Sequence, residues 1–456
     1  MYFLYSILYT LGIIVLLPRF AYDALRHGKY VTGFGERLGQ LPPVQAKGRP
    51  VVWLHCVSVG ETQAARPVAQ ALLEKYPAHA LVVSTTTVTG QRVAREVFRE
   101  EAAAVFYFPF DWAWTVRRAL RQVHPDIVLI METELWPRFL RECNKRDIPV
   151  AVINGRLSER SSRRYKIIRG FIRRVVNCLS LALMQSEADA ERLRALGLAS
   201  ERVLVSGNVK FDGGADASGH ALTNELRDRF RFNDEQPLIV AASTHSPEER
   251  IVVDAFRKLR SDSSTRAARL LIAPRHPERF NEVASLLNAS GFKWARRSNG
   301  ASSTDAACDL ILLDTIGELR AVYPLATLVF VGGSIAPVGG HNILEPAAAG
   351  ACIITGPHTF NFTAVMQAFL LAQALVQLPA LPEAEAAAEM AKVCAELLTD
   401  EQTRQRLAEN AGTALEQNRG ATERTINMLA PLLNIATNQS LTNPAQSSTA
   451  RSALSS

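Results

Sequence analysis

A chain of 456 residues exceeds the ~250–300 residues at which a single core stops growing, so two domains are expected. Hydrophobic residues at 48% and charged residues at 21% exclude an extensively disordered protein, and the formal charge of +7 calls for an anionic partner: nucleic acid, an anionic membrane or a phosphorylated ligand. Six widely separated cysteines (Cys56, Cys143, Cys178, Cys308, Cys352, Cys394) contain no CxxC pair and no cysteine–histidine cluster, which excludes a structural zinc framework and points to a reducing compartment.

Residues 2–18, YFLYSILYTLGIIVLLP, form an uncharged apolar run, and Arg19, Arg26 and Lys29 come after it. A secretory signal has the opposite order, with its positive charges first. The run sits at the short limit for crossing ~30 Å of hydrocarbon. A membrane anchor over 1–30, spanning or interfacial, is therefore expected, and the trailing basic residues keep the remainder on the cytoplasmic side. A buried hydrophobic helix is the plainer alternative.

From residue 50, strand-like runs alternate with helical patterns: VVWLHCV, ALVVSTTT, AVFYFPF, DIVLIMETE, PVAVING, LALMQS and VLVSGNV. Such alternation predicts a parallel sheet covered by helices on both faces. The pattern fades over 212–236 and restarts with PLIVAAST, RLLIAPRH, DLILLDT, TLVFVGGS, ACIITGP and ALVQL. Two doubly wound α/β domains are predicted, 31–212 and 213–432, facing a cleft that holds the ligands, with a disordered polar tail over 433–456.

The polar signals follow the strands. In VSVGET, Gly60 admits a close approach and Glu61 opens a helix. There a carboxylate is either a helix-start residue worth ~0.3–1 kcal/mol or a catalytic base whose strength the helix amides reduce until a bound acceptor desolvates it. IMETELWP puts Glu132 and Glu134 on one face if the strand continues, as an ion pair or as catalysts. GNVKFD places Lys210 beyond a third strand. In the second half, Arg275, His276 and Arg279 of APRHPERF are candidate phosphate donors. DTIGEL offers Gly317 and Glu318, and VGGSIAPVGGHNILEP packs glycines before a helix expected near Asn342, whose amides favour an anion and whose Glu345 is placed to accept ribose hydroxyls.

Neither a Walker A sequence nor a GxGxxG fingerprint occurs, which disfavours triphosphate hydrolysis and dinucleotide redox chemistry. The basic run 156–174 holds eight Arg/Lys against Glu159 alone; beside an apolar N-terminus and without aromatic interleaving it fits anionic lipid better than nucleic acid.

Taken in order, VSVGET, METELWP, NGRLSERS, GNVKFD, PRHPERF, DTIGEL, VGGS…GGHNILEPA and GPHTFNF resemble the 3-deoxy-D-manno-octulosonic acid (Kdo) transferases of Gram-negative bacteria, and Gly35–Glu36–Arg37 matches that family's GERLG element. The resemblance runs to about residue 430. It implies a GT-B glycosyltransferase of lipopolysaccharide biosynthesis that moves Kdo, with inversion, from CMP-Kdo to the lipid A precursor lipid IVA at the cytoplasmic face of the inner membrane, without metal or cofactor. It further implies Glu61 as general base, Glu132 (or Glu134) and Lys210 as transition-state stabilisers, and CMP contacts at Pro274, Arg275, Ile316, Gly317, Glu318, Asn342, Ile343, Leu344 and Glu345. A UDP-sugar transferase or epimerase on the same fold, and a non-catalytic membrane-associated lipid-binding protein, are the competing expectations.

Overall fold

In a computed structural model of the protein, residues 1–27, 33–214, 220–233 and 235–442 are described, with side chains masked at 17–27, 213–214 and 435–442. The chain divides into two compact units. One comprises Met1–Asp212 and the segment from Arg419 onward; the other is Gly213–Asn418.

The first unit carries seven strands: β1 (Val51–Cys56), β2 (Ala80–Thr85), β3 (Ala102–Tyr107), β4 (Ile127–Met131), β5 (Val150–Gly155), β6 (Leu181–Met184) and β7 (Val203–Val205). They pair in the order β3-β2-β1-β4-β5-β6-β7, every pair parallel. All six residues of β1 are buried, as a central parallel strand covered on both faces requires. Successive residues serve opposite layers: Trp53, Val82, Val128 and Val152 enter one core, while Val52, Leu54, Val83 and Leu129 enter the other.

The second unit repeats the plan with β8 (Leu238–Thr244), β9 (Arg269–Pro274), β10 (Trp294–Arg296), β11 (Leu310–Leu312), β12 (Leu328–Val331), β13 (Cys352–Thr355) and β14 (Val376–Gln377), in the order β10-β11-β9-β8-β12-β13-β14, again parallel. The three-residue edge strand β10 has no counterpart in the sequence reading, because Trp294–Arg296 is only half-buried and lacks an apolar run. In each sheet the winding reverses once, between β1 and β4 and between β8 and β12. Loops leaving the carboxyl ends of those strand pairs border a crevice suited to ligands.

The second unit ends earlier than the expected 432. Ile426, Leu429 and Leu433 of the helix Ala421–Thr442 are buried against Leu54, Leu81 and Leu129, so this helix completes the first unit's core. The helix also runs past the expected start of a disordered tail; residues 443–456 lie outside the described residues.

The N-terminal segment Tyr2–His27 is one helix. The Tyr5 hydroxyl donates to buried Asp111 (2.8 Å), which also accepts the amides of Arg138 (2.9 Å) and Phe139 (2.8 Å). Arg138 reaches the Ser6 hydroxyl (2.7 Å) and the Tyr2 carbonyl (2.7 Å), while Trp112 donates to Thr10 (2.9 Å). The opposite stripe, Phe3, Leu4, Ile7, Leu8, Leu11, Ile14 and Val15, is exposed. Among the described residues no helix is long and apolar enough to cross a membrane.

Candidate active site

Glu61 sits in the turn that leaves β1. Ser58 is the N-cap of the helix Val59–Lys75, and its hydroxyl both accepts the Glu61 amide and donates to Glu61 Oε1 (2.9 Å). Glu61 Oε2 accepts the Val57 amide (2.7 Å). This is the reciprocal logic of a capping box, moved one residue upstream. A Cβ on Gly60 would meet nothing within 4 Å, so packing does not demand glycine there and the backbone lies open.

From the sequence, helix amides are expected to weaken this carboxylate as a base until a bound acceptor desolvates it. Burial by the protein itself outweighs the Val57 hydrogen bond and, with the neighbouring Glu132 carboxylate, pushes the Glu61 pKa up to about 7. Among the described residues no cation pairs with it. A carboxyl group in this state exchanges its proton near neutral pH, as a general base requires.

Glu132 leaves β4, the partner of β1 across the reversal. The strand stops at Met131, so Glu132 and Glu134 do not continue a shared strand face. Glu132 instead takes a left-handed backbone (φ 53°), with its amide on the Ile153 carbonyl (3.0 Å). For a residue with a Cβ this conformation costs on the order of 1–3 kcal/mol and clusters at functional sites. Its carboxylate lies 3.8 Å from Lys210 Nζ, both half-buried. Glu134 has its pKa raised by burial and then by Glu132. The first unit thus gathers Glu61, Glu132, Glu134 and Lys210, and the lysine is matched to Glu132. The GERLG element braces the same region: Glu36 accepts the Tyr107 amide (2.7 Å), and Arg37 covers the Tyr107 ring (4.4 Å) while donating to the Thr86 carbonyl (2.7 Å).

In the second unit the expected donor residues follow β9, β11 and β12. Pro274 closes β9 and is buried, whereas Arg275 is exposed and forms no side-chain hydrogen bond or ion pair among the described residues. Arg279, expected beside it as a phosphate donor, is committed elsewhere: it holds Glu249 through two bonds (2.6 and 3.2 Å) and Glu282 (2.9 Å). Ile316 is 82% exposed, and Gly317 takes a left-handed φ of 89° that favours glycine. Glu318 is clamped by Arg297 (2.8 and 3.1 Å) and by Thr315 (2.6 Å).

The glycine-rich segment departs most from expectation. The helix begins at Leu344, is five residues long, and has its first amide accepted by Asn342 Oδ1 (3.1 Å). Ile343 and Leu344 are buried, and Glu345 accepts from Arg320 (2.9 Å). The amides of Gly333, Ser334, Ile335 and Ala336 point at the fully buried Glu248, whose carboxylate accepts all four together with the His245 amide, at 2.8–3.1 Å. An internal carboxylate therefore occupies the nest formed after the first glycine pair, upstream of the helix whose amides are expected to favour an anion. His245, one residue past the buried strand β8, and His341, in the GGH element, lie outside the expected contacts with Nε2 atoms 2.8 Å apart; only His245 carries a signal in the sequence, a histidine directly after a buried strand. Among the described residues no group of three or more His, Cys, Asp or Glu is arranged to hold a metal ion.

Two parallel-sheet α/β units, each with polar groups at its winding reversal, resemble the GT-B fold of glycosyltransferases and related sugar-nucleotide enzymes. The fold is similar to a glycosyltransferase from Rickettsia africae (TM-score 0.52, 12% identity, 87% of this chain and 99% of that one) and to UDP-GlcNAc 2-epimerase from Neisseria meningitidis (TM-score 0.53, 12% identity, 84% and 99%). Residues 32–213 match the family described as 3-deoxy-D-manno-octulosonic-acid transferase (kdotransferase). The 3-deoxy-D-manno-octulosonic acid transferase of Haemophilus influenzae is 32% identical over 415 residues, 90% of this chain and 93% of the relative. The chain belongs to the Kdo transferase family, and is a glycosyltransferase.

Proposed function

We propose that this enzyme transfers Kdo with inversion from CMP-Kdo to the lipid A precursor lipid IVA. The observation that carries this is Glu61, a buried carboxyl group raised to about 7 beside the Glu132–Lys210 pair, in a chain of this family. Glu61 takes the proton from the 6′-hydroxyl of the acceptor glucosamine; that oxygen bonds to the anomeric carbon of Kdo while the bond from that carbon to the CMP phosphate breaks. Lys210, held by Glu132, stabilises charge in the transition state. CMP is bound by the second unit, with Arg275 on the phosphate and the backbone at Ile316–Glu318 and Asn342–Leu344, with Glu345, around the nucleoside. A monophosphate leaving group is neutralised by such cations without a metal.

We propose the cytoplasmic face of the inner membrane as the place of the reaction. The N-terminal helix spends its tyrosine face on the first unit, so its exposed Phe3, Leu4, Ile7 and Leu11 stripe is suited to lie in the membrane interface rather than to cross it. Ile167 (83% exposed) and Ile168, set among the arginines of 156–174, extend an apolar and basic surface suited to anionic lipid. No nucleic-acid role is proposed.

Purified protein incubated with lipid IVA and either CMP-Kdo or UDP-sugars tests the chemistry. Mass spectrometry should find a Kdo-bearing product from CMP-Kdo alone; turnover only with a UDP donor defeats the proposal. Flotation with anionic vesicles tests the surface: substituting Asp at Phe3, Ile7 and Leu11 together should release the protein from vesicles, and retained binding counts against the interfacial helix.

A further inference from the structure

We propose that His245 and His341 form a proton-sharing pair that receives the donor's phosphate and takes up one proton as that anion binds. The inference rests on the CMP-donor reading above and extends it to two residues outside the expected contact set.

The pair lies where the second sheet reverses its winding. His245 follows β8 directly, and His341 ends the glycine loop that follows β12. Their rings are parallel within 8°, with Nε2 to Nε2 at 2.8 Å. At that distance one nitrogen donates and the other accepts, so a single proton lies between them. Because both Nε2 atoms are spent on each other, the pair is poorly built to ligate a metal and well built to change charge as one unit. Gly333 makes room for it: with φ 65°, a Cβ there would come within 2.8–2.9 Å of the His341 ring.

Among the described residues no carboxylate contacts either ring of the pair; outside the loop, the exposed Glu278 lies 3.8 Å from His276 Nδ1. His276 stands edge-on to His245 at 5.0 Å, and Arg275 and Arg279 follow on the same connection. The carboxylates near the pair are Glu248, filled by five backbone amides, and Glu249, held by Arg279 and Thr244. Burial first, then the neighbouring imidazoles and arginines, keep both histidines below their ordinary range, with His341 lowered to about 4. The free pair is neutral at pH 7 and has near it the Arg275 guanidinium, unpaired among the described residues. A phosphate arriving beside Arg275 supplies the missing anion, favours the charged pair and draws in a proton.

Titration calorimetry of the full chain with CMP near pH 7, in buffers of different ionisation enthalpy, counts that proton. Wild type should take up about one proton per CMP beyond the nucleotide's own, and log Kd should rise with pH at a slope approaching one above neutrality. Cytidine, which lacks the phosphate, should bind without uptake; this arm needs no variant. H245Q and H341Q should each abolish the extra proton and flatten the pH dependence. Equal uptake in wild type and both variants, or the same uptake with cytidine, overturns the inference while leaving the donor reading intact. Absence of CMP binding by wild type overturns both.

Discussion

Glu61 caps its own helix and, being buried, keeps a proton up to about pH 7. The folded-state pKa is raised above the ordinary carboxyl value, so the stability this group contributes is complete below about pH 4.5 and is lost as pH rises through about 7. Carrying the ionised form at pH 8 costs on the order of 3 kcal/mol. E61Q keeps the size and an acceptor for the Val57 amide but cannot ionise. It should therefore melt above wild type at pH 8, with the gap closing by pH 5 in calorimetric scans, while kcat falls ~10²–10⁴-fold. A melting advantage that persists at pH 5 would assign the difference to packing instead. For wild type, kcat/KM should climb with pH through about 7 as the base is freed, a limb read directly from a pH–rate profile.

At the scale of elements, Glu248 organises the loop that follows β12. Removing its carboxylate leaves five buried or half-buried amides without an acceptor, each worth ~1–3 kcal/mol when orphaned. E248A should therefore disorder the 332–341 loop and abolish CMP binding, measured by calorimetry and by amide exchange across that loop, with Glu61 and its helix unaffected. This element also marks where sequence reasoning stops. Strands such as Val51–Cys56 and Leu238–Thr244 are legible because a parallel strand buried on both faces reads as an unbroken apolar run. Glu61, Glu132 and Lys210 are legible because each stands just past such a run. Glu248 is not: in the sequence it is one of two adjacent glutamates opening a helix, and four of its five partner amides lie some 85 residues away along the chain. The histidine pair is hidden for the same reason, since a 2.8 Å contact across 96 positions leaves no periodic trace.

For the whole molecule, two units with separate cores predict two unfolding steps rather than one. CMP at 100 times its Kd should raise only the step that belongs to Gly213–Asn418, by ~2.7 kcal/mol, in a differential calorimetry scan. A shift of the other transition alone would move the nucleotide site to the wrong unit. The helix Ala421–Thr442 sorts with the first step: Leu429 is fully buried there, and L429A should cost ~2–5 kcal/mol, lowering the first unit's transition and leaving the CMP-responsive one in place. The boundary at 432 drawn from the sequence fails because composition cannot say which of two aliphatic cores an amphipathic helix will cover.

That returning helix also sets an order of events on the ribosome. The second unit has all of its residues before the first has received its closing piece, so the latter waits with an aliphatic trough open beside Leu54, Leu81 and Leu129 until translation is nearly over. A transcript cut short just past codon 418 would yield a chain with its second unit whole yet exposing that trough, a species for chaperones and proteases rather than for catalysis.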